Sequence, residues 1–173
     1  MQTEAHPLES FFYQAVRASF VDQLGLNDPE LVDYVAHLLC EFSDSNKFHG
    51  LKDANGHRVE TVVEMLRAAD PVYGTAGSFD EERRVRKYIG DYALFTTGMD
   101  LDVMESAPHY QADRAAADEL IKIGKESYLI VSHFDVFEYE KEAPLFARLA
   151  ESLDRCVLGL ALIREQVRER ADR

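Results

Sequence analysis

The side chains best suited to chemistry gather in two stretches, Tyr88, Asp91 and Tyr92 in one and Tyr128 and His133 in the other. In a helical register His133 falls among Leu129, Ile130, Val136 and Phe137, an apolar face on which both ring nitrogens need partners. Such a histidine is either tuned for proton transfer or ligand contact, or is a core residue bonded to a neighbouring helix. Asp91 lies at the edge of an apolar stripe, flanked by Tyr88 and Tyr92. Three uses fit it: an ion pair with an arginine, exposure to solvent, or contact with a ligand. Tyr88, Asp91, Tyr92, Tyr128 and His133 therefore form the candidate ligand-binding set, and no residue is assigned to catalysis, to a cofactor or to a metal.

Other constellations are weaker. Asp33 and His37 stand one helical turn apart with Glu30 and Glu41 on their side, a spacing that suits a metal ion. That face lies opposite the Leu31, Val35, Leu38 stripe, which fits a solvated polar face better. Glu105 and His109 share the spacing, but Pro108 between them opposes a helical pair. Asp53, Asn55 and Gly56 faintly resemble a calcium loop but lack its first ligand pair and its closing glutamate, and the segment reads as a turn. The chain has no Gly-x-x-x-x-Gly-Lys, Gly-x-Gly-x-x-Gly, His-Glu-x-x-His, Cys-x-x-Cys or Gly-x-Ser-x-Gly motif, and no Glu-x-x-His pairs of the kind that build di-iron sites in bundles.

The elements that must carry these residues are helices, because apolar residues recur at helical spacing and strict alternation is scarce. A first helix spans about Leu8 to Leu24 and stops at Gly25. A second starts with Asp28 as N-cap and Pro29 in its first turn and runs to Phe42. Residues 43–58 turn polar, with Gly50 and Asn55-Gly56, and predict a loop that holds at most a short hairpin. A third helix covers about Val59 to Ala69. Ser78 and Glu81 form a capping-box pair that opens the fourth, which runs to Gly98. An acidic loop ends near Pro108, a helix follows from about Tyr110 to Lys141 with a kink at Gly124, and Pro144 opens the last. The expected fold is a single all-α domain over residues 1–173, an irregular bundle of six or seven helices with a long C-terminal helix.

Gly90 interrupts the fourth helix at a cost of about 1 kcal/mol relative to alanine, so close packing or room for a ligand must compensate. Gly90, Ala93 and Thr97 make one small-residue ridge, and Gly124 and Ser127 make another. Two such ridges predict a close helix crossing. The last helix carries Phe146, Leu149, Leu153, Cys156, Leu160, Ile163 and Val167 at alternating spacings of three and four, a seam that suits a bundle core or a second copy of the chain. A homodimer is expected from it, with a protein partner also possible.

The 173 residues carry a formal net charge of −13, which repels polyphosphates and anionic lipid and argues against nucleic acid or membrane as partner. Arg164 to Arg173 alternate with acids as a solvated helix face does. Cys40 and Cys156 lie far apart in apolar helical contexts and read as reduced, buried thiols. No basic-then-apolar leader opens the sequence and no apolar run approaches the roughly 18 residues of a membrane span, so a cytoplasmic location is expected.

Four segments are similar to an uncharacterised bacterial family of small all-helical proteins: residues 34–42 (Tyr34 to Phe42), residues 89–95 with their Gly-Asp-Tyr-Ala-Leu-Phe run and Gly98, residues 124–128, and Leu145-Phe146 with Leu149 to Glu151. The likeness covers about residues 30 to 160. It implies a shared helical fold and brings no activity or cofactor with it. The chain departs from that pattern before Tyr110, where a longer aromatic-rich approach is expected.

Overall fold

A computed structural model describes residues 7–99 and 110–173, with side chains included except at 110–115. The described residues form seven α-helices and no strand. They are α1 (Pro7–Arg17), α2 (Pro29–Phe42), α3 (Ser45–Phe48), α4 (Val62–Ala69), α5 (Phe79–Met99), α6 (Tyr110–Ser132) and α7 (Ala143–Ala171). The all-α bundle with a long C-terminal helix is thus the observed architecture.

Local chemistry explains the boundaries. Helix α1 runs on into a π-helical turn, Ala18–Gln23, and the chain leaves it at Gly25, whose φ of +65° suits glycine. Asp28 caps α2 by accepting from the Leu31 N–H at 3.2 Å, with Pro29 in the first turn. Arg148 of α7 donates to the same carboxylate at 2.7 Å, which ties the last helix to the start of the second. Ser78 accepts from the Glu81 N–H at 3.1 Å, opening α5, whereas the Glu81 carboxylate turns to Arg84 instead of closing the capping box.

Three boundaries differ from those the periodicity predicts. The third predicted helix begins at Val62 and not at Val59, because Thr61 and Glu64 make a full capping box, while Val59 pairs with the Leu51 carbonyl at 3.1 Å. Residues 43–58 contain the one-turn helix α3 and an antiparallel bridge between Lys52 and Arg58 around Gly56. The helix predicted to reach Lys141 ends at Ser132. There the His133 and Phe134 N–H groups bond the Ile130 and Val131 carbonyls at 3.0 and 3.1 Å, tightening the last turn, and the Ser132 hydroxyl donates to the Leu129 carbonyl at 2.5 Å. A short 3₁₀ turn, Phe137–Tyr139, then leads into α7.

Helices α5, α6 and α7 pack against one another as the centre of the bundle, with α1 and α2 paired beside them and α4 on α5. The main core runs from Val16 and Phe20 through the α2 stripe to Tyr128, Phe146 and the α7 seam. A smaller cluster around Leu51, Val59, Met65, Val85 and Ile89 lies under the loop and α4. The two predicted ridges do cross: a Cβ at Gly124 would meet the Ala93 side chain at 2.7 Å, and one at Gly90 would meet the Tyr128 ring at 2.4 Å. The seam of α7 is buried within the chain from Phe146 to Ile163, and only Val167, 47% exposed, stands clear of it. Cys40 and Cys156 are free thiols, and burial pushes that of Cys156 up to about 12.

Candidate functional site

Helix α5 presents Lys87, Tyr88, Asp91 and Tyr92 in little more than one turn, and its neighbours decide what each does. Asp91 is 3% exposed. Its Oδ1 accepts from the Tyr34 hydroxyl of α2 at 2.5 Å and from the Tyr128 hydroxyl of α6 at 2.6 Å, and its Oδ2 accepts from Lys87 Nζ at 2.9 Å. The Tyr34 and Tyr128 rings meet edge-on at 6.5 Å, and both lie against Phe146 of α7. One carboxylate therefore joins α2, α5 and α6 over an aromatic floor supplied by α7.

The electrostatics keep this cluster fixed. Burial, with the Asp91 charge beside them, raises both Tyr34 and Tyr128 well above the usual tyrosine range, so both hydroxyls stay neutral donors. For Lys87, burial pulls the ammonium down, but the charge and hydrogen bond of Asp91 outweigh it and the net shift is upward. A proton-transfer group needs a pKa near the working pH, and these three move away from it. None of the cluster's polar atoms is among the buried ones left without a partner. The partner of Asp91 is a lysine one turn away, not the arginine that the sequence suggested.

Tyr88 and Tyr92 look the other way along α5. The Tyr88 hydroxyl donates to the Phe48 carbonyl, and the Tyr92 ring stacks on Phe48 at 5.5 Å, so the pair pins α3 to α5. Burial, helped by Tyr92 and Asp91, pushes the Tyr88 hydroxyl up to about 12. Tyr88 and Asp91 border an open groove of about 420 Å³ with Glu41, Arg84 and Lys87, and Tyr88 and Tyr92 border another of about 410 Å³ with His49 and Met65.

His133 belongs elsewhere. It follows the end of α6 and is exposed, so the buried helical position expected for it does not form. It borders a cavity of about 510 Å³ where the first turn of α5 faces the connection from α6 to α7. Phe79, Phe134, Val136, Phe137 and Tyr139 supply the apolar lining, and Asp80, Glu82 and Glu138 the charge. Phe79 and Phe134 touch edge-on at 6.4 Å, and the Tyr139 hydroxyl donates to Asp80 Oδ1 at 2.6 Å. The Arg83 guanidinium lies 3.9 Å over the Tyr139 ring and bonds Glu142 at 2.7 Å. Phe79 and Phe137 are 79% and 87% exposed, and Phe137 holds a φ of +53°. A bulky residue in that left-handed region is strained, and here the strain holds an aromatic ring in water.

Of the five candidates, Asp91 and Tyr128 come together, Tyr88 and Tyr92 stack on each other against Phe48, and His133 joins neither pair. Tyr34 and Lys87 are the members of the cluster that the sequence does not single out, although the four-residue spacing of Lys87 and Asp91 signals their pairing. Phe137, expected on a buried face, stands in solvent instead. Asp33 and His37 are exposed, and His37 lies 3.7 Å from Glu41. No group of three or more metal-ligating side chains occurs among the described residues. Asp53 accepts from the Asn55 and His57 N–H groups at 2.9 Å each and closes a turn, and the pair Glu105 and His109 lies outside the described residues. No described helix is long and apolar enough to cross a membrane. No family model, curated protein or solved structure matches the chain.

Proposed function

We propose that this chain is a non-catalytic, cytoplasmic interaction protein that binds its partner through the aromatic pocket between the first turn of α5 and the α6–α7 connection. The observation that carries this reading is the pair Phe79 and Phe137, 79% and 87% exposed at the mouth of a cavity of about 510 Å³. Large aromatics so exposed together mark binding surfaces, and the volume lies in the range of ligand pockets. A catalytic or small-molecule-binding site joining Asp91 to His133 has less support, because the two residues border different cavities.

Self-association belongs to the same reading but needs a face other than the α7 seam. Phe11 of α1 and Val167 of α7, both about half exposed, border a shallow cavity of about 270 Å³ at the other end of α7 and offer one. Sedimentation of the pure chain at tens of micromolar tests it: a dimer is expected, and a monomer removes self-association from the proposal. For the pocket, the test is the fluorescence of Nile red, an uncharged apolar dye, with the intact chain and with a Phe79→Ser, Phe137→Ser double variant. Enhancement by the intact chain that the double variant loses is the expected result. Equal enhancement by both, or none by either, overturns the pocket as the binding surface.

A further inference from the structure

Resting on the pocket's role as a binding site, we infer that its ligand is an organic cation with an apolar body, such as an aryl- or alkylammonium group. Three observations on the lining lead there. The first is the ring arrangement: Phe79, Phe134, Phe137 and Tyr139 surround one cavity, and aromatic faces attract cations through their negative quadrupole. The second is charge. Asp80, Glu82 and Glu138 line the same cavity, Asp80 and Glu138 exposed and Glu82 half-buried, on a chain of net charge −13. An anion entering there meets three carboxylates, and a neutral apolar group leaves them unused.

The third observation is that the protein already seats a cation on this cluster. The Arg83 guanidinium lies 3.9 Å over the Tyr139 ring in a residue only 8% exposed, with its charge matched by Glu142 at 2.7 Å. Arg83 thus occupies Tyr139 and makes its ion pair with Glu142, which is not among the carboxylates of the lining. Among the described residues no cation lies over Phe79 or Phe137, and their exposure leaves their faces open to one from outside. His133 is the cavity's own basic group and stands at the edge of the lining beside Phe134. A cavity of about 510 Å³ admits a ring or short alkyl chain with its ammonium group among the carboxylates.

Titration of the intact ¹⁵N-labelled chain with benzylammonium, benzyl alcohol and benzoate separates ring contact from charge, because the three share a ring and differ in charge. Amide shifts should saturate at residues 79–82 and 133–139 with benzylammonium, about tenfold more tightly than with benzyl alcohol, and benzoate should give none. Phe137→Gly should abolish the shifts, since glycine keeps the backbone conformation and removes the ring. Glu138→Gln should weaken benzylammonium about threefold and leave benzyl alcohol unchanged. If benzyl alcohol binds there as tightly as benzylammonium, the cation preference is overturned while the pocket survives as a binding site. Should none of the three move these residues, both readings fall. Shifts spread over the acidic surface and indifferent to Phe137→Gly would also overturn the inference, as they report only the ion atmosphere of a charged chain.

Discussion

Asp91 and Phe137 occupy positions opposite to their chemistry: the charged side chain is 3% exposed and the aromatic one 87%. The first is accounted for by its neighbours. Three donors from three side chains satisfy one carboxylate, and the donors Tyr34, Tyr128 and Lys87 are all shifted toward keeping their protons. The second is not: the Phe137 ring is held in water by a backbone angle that bulky residues avoid. A residue whose surroundings explain it holds the fold, and one whose surroundings do not is a candidate for work on something outside the chain. By that criterion the buried polar cluster fits a structural role and the aromatic pocket is the proposed site.

The comparison breaks most easily at Asp91. Asp91→Ala leaves two buried hydroxyls and a largely covered ammonium without their acceptor, and should cost about 3 to 5 kcal/mol of unfolding free energy in urea. A loss below about 1 kcal/mol would mean that the cluster is not holding three helices together. Gly90→Ala comes next. Its Cβ would lie 2.4 Å from the Tyr128 ring, which is fully buried and anchored through its hydroxyl to Asp91. The ring cannot swing away without giving up that bond, so overpacking should outweigh the gain in helix propensity and leave the variant less stable by about 2 kcal/mol. A Gly90→Ala chain as stable as the parent would show that the crossing of α5 and α6 has slack.

The crossing itself was legible in the sequence, because small residues repeated at helical spacing on two helices have few other uses. So were the starts of α2 and α5, where Asp28, Pro29 and Ser78 write the cap chemistry directly. The end of α6 was not. Leu129, Ile130, Val136 and Phe137 continue a helical pattern across residues that are not helical, and the helix closes instead on the i→i−3 bonds of the His133 and Phe134 N–H groups, which no periodicity signals. That early ending leaves His133 and Phe137 at the surface and not in the expected core, and the pocket they border has no helical pattern to announce it. Val59 misleads in the same way, as a buried apolar residue that belongs to a bridge and precedes the Thr61 cap. The α7 seam is apolar as its spacing indicates, but a spacing does not say whether the partner helix comes from the same chain. Within the Asp91 cluster, Tyr34 arrives from 57 residues away, a pairing that no local pattern announces.

A smaller effect separates the two regions by pH. Tyr34 and Tyr128 have folded pKa values above that of the unfolded chain, so the unfolded state loses its tyrosine protons first as pH rises. Their contribution is complete below about pH 10 and declines above it, by about 1.4 kcal/mol per pH unit for each tyrosine until the folded hydroxyls also ionise. Urea midpoints between pH 9 and pH 11 should show that edge in the parent chain. Tyr34→Phe should make it shallower, and Phe137→Gly should leave it untouched. An edge that moved with Phe137 would couple the two regions and undo their separation.

Phe137→Gly is also the mildest test of stability and the one that bears most directly on the site. Glycine accepts a φ of +53° without the steric cost that phenylalanine carries there, but it gains entropy in the unfolded chain, and the two effects are of similar size. The ring being exposed, its removal uncovers little. The variant should therefore lie within about 1 kcal/mol of the parent, on the stable side if relief of the strain exceeds the entropy gained by the unfolded chain. A loss of more than about 2 kcal/mol would show that the ring stabilises the α6–α7 connection, and Phe137 would then join Asp91 among the residues that hold the fold. If stability is kept while Nile red enhancement disappears, the exposed ring contributes to binding and not to folding.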